Sequence, residues 1–324
     1  MKRFCCLVLS AALAAALLFS GAMQAFPTKP VKIIVAFPPG GGTDIVARLL
    51  APRLGEAWGQ AVIVENRAGA SGTVGTEAAA RAEADGHTLF MATMGNMTAN
   101  QHLYPKMALD PLRAFAPITK VVDVHFVFLA NPALPANGVK ELIELARKRP
   151  GEIAYSSSGP GGAPHLAMEL FTRRAGVDFQ HVPYKGSGPG MNDLIGGRVM
   201  LTMDSLVQSL PHIKAGRLKA LAVLGPKRAA LLPGVPTIDE SGLPGYALTN
   251  WFGLLAPAAT PRDTLLKLNH DVLRILKQED LQKRIADLGA DVDGNSAEEF
   301  GAAMRAESAQ WAEIIKAAGI RVEE

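Results

Sequence analysis

Thiols are nearly missing from this 324-residue chain: its two cysteines, Cys5 and Cys6, stand side by side at the start. Beyond them no disulfide, Cys nucleophile or thiolate metal site can form. A surplus of one charge sign is also missing. The 33 Lys+Arg face 30 Asp+Glu, and without Lys2 and Arg3 in the opening segment the balance is 31 to 30. No strongly basic nucleic-acid surface is expected from such a chain. Charged residues make up only 19% and apolar ones 48%, which excludes a disordered chain. After residue 25 no apolar run approaches the roughly 20 residues of a spanning helix.

The opening itself has a different character. Lys2 and Arg3 precede a 13-residue run, 7–19, of Leu, Val, Ala, Phe and one Ser. Small residues then offer cleavage after Ala22 or Ala25. Residues 1–25 therefore read as a secretory signal, and the expected location of the remainder is the periplasm. The run is short for an uncleaved anchor, because Ser10, Ser20 and Gly21 interrupt it. Both cysteines lie too early to be lipid-attachment sites.

From residue 31 the pattern alternates β-rich runs with helical periodicity, which predicts an α/β fold with mainly parallel sheets. A strand at 31–37 breaks at Pro38-Pro39-Gly40-Gly41-Gly42, and a helix opens at Thr43-Asp44. A strand at 61–65, a Gly-rich turn at 68–72, a helix at 77–84 and a strand at 87–93 follow. The same order returns about 120 residues later. It runs from a strand at 152–157 through Ser158-Gly159-Pro160-Gly161-Gly162, a helix at 164–174 and a strand at 179–184. A Gly-rich turn at 185–190 and a strand at 198–203, ending at Asp204, complete it. Further strands are predicted at 124–130, 218–224 and 251–256, with a helix from Val139. Two long helices are predicted to close the chain. One spans 264–288, and the other starts at an S-x-x-E capping box, Ser296 and Glu299. Two lobes follow, 26–124 with 246–324 and 125–245, in a two-lobed flytrap-like arrangement.

In such lobes ligands bind where strand ends meet helix N-termini. Three successive glycines at 40–42 let backbone approach a ligand, and the free N–H groups of the first helical turn favour an anion. The loop 158–165 offers the same chemistry from the other lobe. Either loop alone could be no more than a tight strand-to-helix turn, and the pairing of the two favours ligand binding. Asp44 could cap its helix or meet a ligand ammonium, and His165 could donate to a carboxylate or be a structural histidine. Lys185 and Arg67 follow strands and could reach a ligand or stay solvated. The chain has no P-loop and no G-x-S-x-G elbow. Its G-x-G-x-x-G imitation, 159–164, ends in Pro164. The seven His residues show no H-E-x-x-H pattern, so no cofactor, metal or catalytic constellation is expected.

Several segments resemble the tripartite tricarboxylate transporter receptors, the Bug family of periplasmic solute receptors. They are FPPGGGTDIVAR (37–48), VENR (64–67), ADGHTL (84–89), HLAMELF (165–171), HVPYKG (181–186), DLIGGRV (193–199), LLPGVPT (231–237) and WFGL (251–254) with Ala256-Pro257. They stand in family order over essentially all of 26–324. The resemblance implies a type II periplasmic-binding fold that closes on a small organic carboxylate and performs no chemistry. It also implies a monomer that delivers its ligand to a large and a small membrane subunit. The family's ligand loops correspond here to Phe37, Gly41, Gly42, Thr43 and Asp44, and to Ser158, Gly159, Gly161 and His165. Thr93, Asn96 and Asp204 stand at matching strand ends. Two departures are notable. Gly162 replaces a usual Ser, and Met94 and Met97 occupy a stretch that is commonly hydroxyl-rich, which predicts a less polar ligand end. The alternatives are an exported enzyme on the same architecture and a ligand sensor feeding a signalling partner.

Overall fold

The computed structural model describes residues 26–104 and 109–320. The expected leader, 1–25, lies outside the described residues. Two sheets organise the rest. The first contains β1 (Val31–Val35), β2 (Val62–Asn66), β3 (Thr88–Thr93), β4 (Phe115–Val124), β10 (Asn250–Pro257) and β11 (Ala290–Val292), in the order β11-β4-β10-β3-β1-β2. The second contains β5 (Phe126–Ala130), β6 (Ala154–Ser157), β7 (Gln180–Pro183), β8 (Leu201–Ser205) and β9 (Lys219–Val223), in the order β7-β6-β8-β5-β9.

The two predicted copies of one unit are visible as two parallel triplets, β2-β1-β3 and β7-β6-β8. The sheets as wholes are mixed, however. Beyond each triplet the neighbours run antiparallel, β10 and then β4 beside β3, and β5 and then β9 beside β8. β10 joins the first triplet only after the chain has returned from the second sheet, and β5 joins the second from ahead of its repeated unit, so the repeat predicts each triplet and not its extension. The chain crosses from one sheet to the other at His125, between β4 and β5, and returns between β9 and β10.

Both faces of the central strand are covered. Val31, Ile33 and Val35 pack in one apolar cluster and Ile34 in another, which is why the run 31–35 reads as nearly continuous hydrophobics rather than alternation. The covering helices are α1 (Gly42–Trp58), α2 (Thr73–Ala80), α3 (Val139–Lys148), α4 (Ala163–Ala175), α5 (Ser187–Ile195), α6 (Leu206–Lys214), α7 (Arg262–Leu276), α8 (Glu279–Asp287) and α9 (Ala297–Ala318). The single helix predicted over 264–288 is two helices. At Gln278 the backbone turns extended (ψ 122°), and Glu279 and Asp280 open a new first turn. The break lets Leu281 and Ile285 return to the cluster that holds Leu268, Val272 and Ile275. The capping box of α9 forms as predicted, Glu299 N–H donating to Ser296 Oγ at 3.2 Å and Ser296 N–H to Glu299 Oε2 at 2.9 Å.

Candidate functional site

A cavity of about 40 Å³ lies between the sheets. From the first sheet's side it is lined by Phe37, Gly41, Gly42, Thr43, Thr93, Asn250 and Phe252. Phe126, Ser158, Ala163, Pro164, Ser187, Asp204 and Ser205 line it from the second. The lobes are closed around it. Tyr104 Oη donates to Pro160 O, and a Cβ at Gly159 would stand 2.4 Å from Ser71 Oγ. Similarly, a Cβ at Gly186 would stand 2.3 Å from Pro38 Cδ. Admitting a ligand requires these contacts to part.

Three helices begin at the cavity without a side-chain cap. Their N-cap residues are all glycine: Gly41 for α1, Gly162 for α4 and Gly186 for α5. Glycine cannot satisfy the first-turn N–H groups, and each N-terminus carries a partial positive charge. A fourth helix, α6, is closed off. Ser205 Oγ accepts from Val207 N–H at 3.1 Å, and Asp204 Oδ1 accepts from Ser205 N–H at 2.6 Å.

Seven of the sequence-identified residues line the cavity: Phe37, Gly41, Gly42, Thr43, Thr93, Ser158 and Asp204. The other five sit just behind it. Asp44 is spent on its own loop, accepting from Gly40 N–H at 3.0 Å, Arg48 Nε at 3.0 Å and Asn66 Nδ2 at 2.9 Å. Burial alone would raise its pKa, but Arg48, Gly40 N–H and Asn66 together hold it below the usual carboxylate range. His165 Nδ1 accepts from Gly161 N–H at 3.0 Å, and the ring stacks on His181 at 4.4 Å between centroids. Burial, with His181 beside it, pushes the His165 imidazole down to about 3, so it is a neutral acceptor. Gly159 and Gly161 lie where the lobes touch, Gly161 against Leu103 and Tyr104. Asn96 bonds Thr93 Oγ1 at 2.9 Å behind the wall.

The departures from the family pattern have structural causes. A Cβ at Gly162 would meet Ser158 Oγ at 2.3 Å, so Ser158 occupies the space that a side chain at 162 would need. Met94 and Met97 are fully buried in the core and do not line the cavity. The apolar walls are instead Phe37, Phe126 and Phe252. Phe126, Phe252, Asn250, Ser187 and Ser205 escaped the sequence reading. Ser187 lies in the Gly-rich turn 185–190 and Phe252 in a quoted motif, so a signal for both was present. Asn250 and Phe126 stand at the two chain crossings, where no local pattern points to a ligand.

Among the described residues, the one close serine–histidine pair near the cavity, Ser157 Oγ to His181 Nε2 at 2.6 Å, lies behind the loop, with Ser157 buried and His181 half-buried, and does not line the cavity. Among the described residues no group of three or more His, Cys, Asp or Glu is placed to hold a metal ion, and no helix is long and apolar enough to cross a membrane.

The model of the tripartite tricarboxylate transporter family receptor matches residues 46–320. The chain belongs to this family. BugT of Bordetella pertussis is 35% identical over 298 residues, 92% of this chain and 91% of that protein. Rpa4515 of R. palustris, solved with adipate, superposes with a TM-score of 0.89 at 38% identity, covering 91% of this chain and 99% of that one. MatC from Rhodopseudomonas palustris, solved with bound malate, gives 0.86 at 32% identity, covering 90% and 100%. The two-lobed fold of periplasmic binding proteins is thus shared throughout, and the chain is a solute-binding receptor.

Proposed function

We propose that this receptor captures a small organic carboxylate in the cleft between lobes 26–124 with 246–324 and 125–245, as an exported periplasmic monomer that performs no chemistry. It hands the closed complex to the large and small membrane subunits of a secondary transporter. The observation that carries the reading is the convergence of three uncapped helix N-termini on a cleft whose lining, among the described residues, has no cationic side chain. Such a site holds an anion through backbone N–H groups and helix dipoles. The sets Gly41, Gly42, Thr43 and Ser158, Ala163, Ser187 are the assigned carboxylate contacts. Asp44, His165, Gly159 and Gly161 shape the loops, and Phe37, Phe126 and Phe252 cover the carbon chain. Adipate in one relative and malate in another support a carboxylate as the ligand class.

Thermal unfolding of residues 26–324, refolded to strip bound ligand, tests this with dicarboxylates, citrate, acidic amino acids and aromatic acids at about 1 mM. An acid with Kd of ~10 μM adds about 2.7 kcal/mol and raises Tm by several degrees. The expected result is a selective shift with the acid recovered unchanged. No shift with any acid would remove the carboxylate assignment, and turnover of the acid would make the protein an enzyme.

A further inference from the structure

Among the described residues the cleft lining contains one ionisable side chain, and it has the wrong sign for a simple anion trap. Asp204 is 5% exposed and lines the cavity from the second sheet. Its oxygens accept from Ser205 N–H at 2.6 Å and from Gln208 Nε2 at 3.0 Å. A carboxylate has about four acceptor positions, so capacity remains. On the first sheet's side, Asn250 opens β10 and is 3% exposed, and its Oδ1 is buried without any partner. A buried acceptor left unpaired costs about 1–3 kcal/mol. The cleft therefore presents two kinds of surface: N–H groups at three helix starts, and two acceptors with unfilled demand.

We propose that Asp204 and Asn250 are specificity-determining residues that require a hydrogen-bond donor on the ligand, so that the captured acid is a hydroxy- or amino-substituted carboxylate rather than an unsubstituted alkanedioate. The inference rests on the carboxylate-receptor reading and names its substrate class. An unsubstituted dianion would place more negative charge beside Asp204 with no proton to share. A hydroxyl or ammonium next to the ligand's carboxylate instead gives Asp204 a charge-assisted hydrogen bond and fills the demand of Asn250 Oδ1. The ligand's carboxylate remains at the uncapped helix starts.

Matched acids test this by calorimetry on the stripped protein: succinate, malate and aspartate, then glutarate, 2-hydroxyglutarate and glutamate. A hydrogen bond to a charged group is worth about 1.5–3 kcal/mol, so in at least one series a substituted acid should bind roughly 10- to 100-fold tighter than its parent. Asp204→Asn should shrink that ratio by about tenfold for an ammonium and by less for a hydroxyl, and Asn250→Leu should shrink it as well. Equal affinity for parent and substituted acids, or a preference that survives both substitutions, overturns the proposal. Binding of the unsubstituted acids alone overturns it and leaves the receptor reading standing. Failure of all six acids to bind overturns the proposal, and only the absence of any shift across the wider acid panel removes the receptor reading as well.

Discussion

The two glycine loops that meet across the cleft share one geometry and differ in chemistry. Gly40 and Gly161 both take positive φ, 86° and 76°. Gly41 and Gly162 then serve as extended N-caps, with ψ of 164° and 158°. Three positions on, Asp44 and His165 each reach back to accept the N–H of the residue four earlier, at 3.0 Å in both loops. The first strap is a carboxylate whose charge is matched by Arg48, and the second is a neutral imidazole. What the position demands is an acceptor, and charge is optional provided it is balanced nearby. Each loop thereby offers a helix N-terminus to the cleft without adding net charge.

The comparison breaks most sharply one residue past the caps, where Gly42 stands opposite Ala163 in the alignment of the loops. A Cβ at Gly42 would meet Ser205 Oγ of the other lobe at 3.0 Å and Phe252 Cζ at 3.1 Å, tighter than ordinary contact. Gly42→Val should therefore hold the lobes apart and lower ligand affinity by about 100-fold or more, with circular dichroism unchanged. At Gly41 a Cβ finds only ordinary contacts, Gln208 Oε1 at 3.8 Å, so Gly41→Ala should be the milder change. Calorimetric affinities in the reverse order would mean that closure does not pass through Gly42.

This near-duplication explains what could be read from the sequence. The repeated order of strand, Gly-rich loop, helix and strand is local, and it predicts both parallel triplets and both loops. Sequence also places Phe37, Gly41, Gly42, Thr43, Ser158 and Asp204 at the cleft, because each lies at a strand end or helix start. It cannot tell a lining residue from one that folds back. Asp44 and His165 carry the chemistry expected of ligand contacts, yet both are consumed by N–H groups four residues away. Asn250 and Phe126 are invisible for the opposite reason, since only the crossing of the chain between sheets brings them to the cavity.

The straps differ next in strength. Asp44→Ala leaves Gly40 N–H without its acceptor and takes one of two acceptors from Arg48 and from Asn66, and should cost about 2–3 kcal/mol in urea unfolding near neutral pH. Because the folded carboxyl is held below its usual value of 3.8, this stabilisation is full above that value and is lost only as pH falls through the folded pKa. Affinity for amino-substituted and unsubstituted acids should fall alike, since Asp44 faces its own loop. A selective loss of ammonium-bearing ligands would return Asp44 to the ligand's surroundings.

His165→Leu removes a neutral acceptor only and should cost about 1–2 kcal/mol at pH 7.5, chiefly for the orphaned Gly161 N–H. Its pH dependence lies in another window. The folded imidazole titrates at about 3 against an ordinary 6.5, so the unfolded chain binds more protons between those values. Wild-type stability from this group therefore declines as pH falls from about 6.5 toward 3. The gap between wild type and His165→Leu should close and then reverse over that range, while the gap for Asp44→Ala should persist to lower pH. A gap that stays constant from pH 7.5 to 4 would show that His165 does not act as a neutral strap.

Asp204 sharpens the contrast by sharing a residue type with Asp44 and shifting the other way. Both stand at a helix start beside the cleft, but among the described residues no guanidinium faces Asp204, and burial pushes its carboxyl up to about 6 against the pull of the Ser187 hydroxyl and Ser205 N–H. In the folded state it binds a proton that the unfolded chain has released between about pH 3.8 and 6. This group therefore weakens wild-type stability as pH rises through that window. A shift of about two pKa units corresponds to roughly 3 kcal/mol, and weaker neutral bonds to Ser205 N–H and Gln208 take back part of it. Asp204→Asn should raise stability by about 1–2 kcal/mol at pH 7.5 and by almost nothing at pH 4. That gain in stability is the outcome expected of an acid kept for the ligand's sake. Urea unfolding of both forms at the two pH values decides the matter, and a loss of stability at pH 7.5 would make Asp204 a structural acid like Asp44.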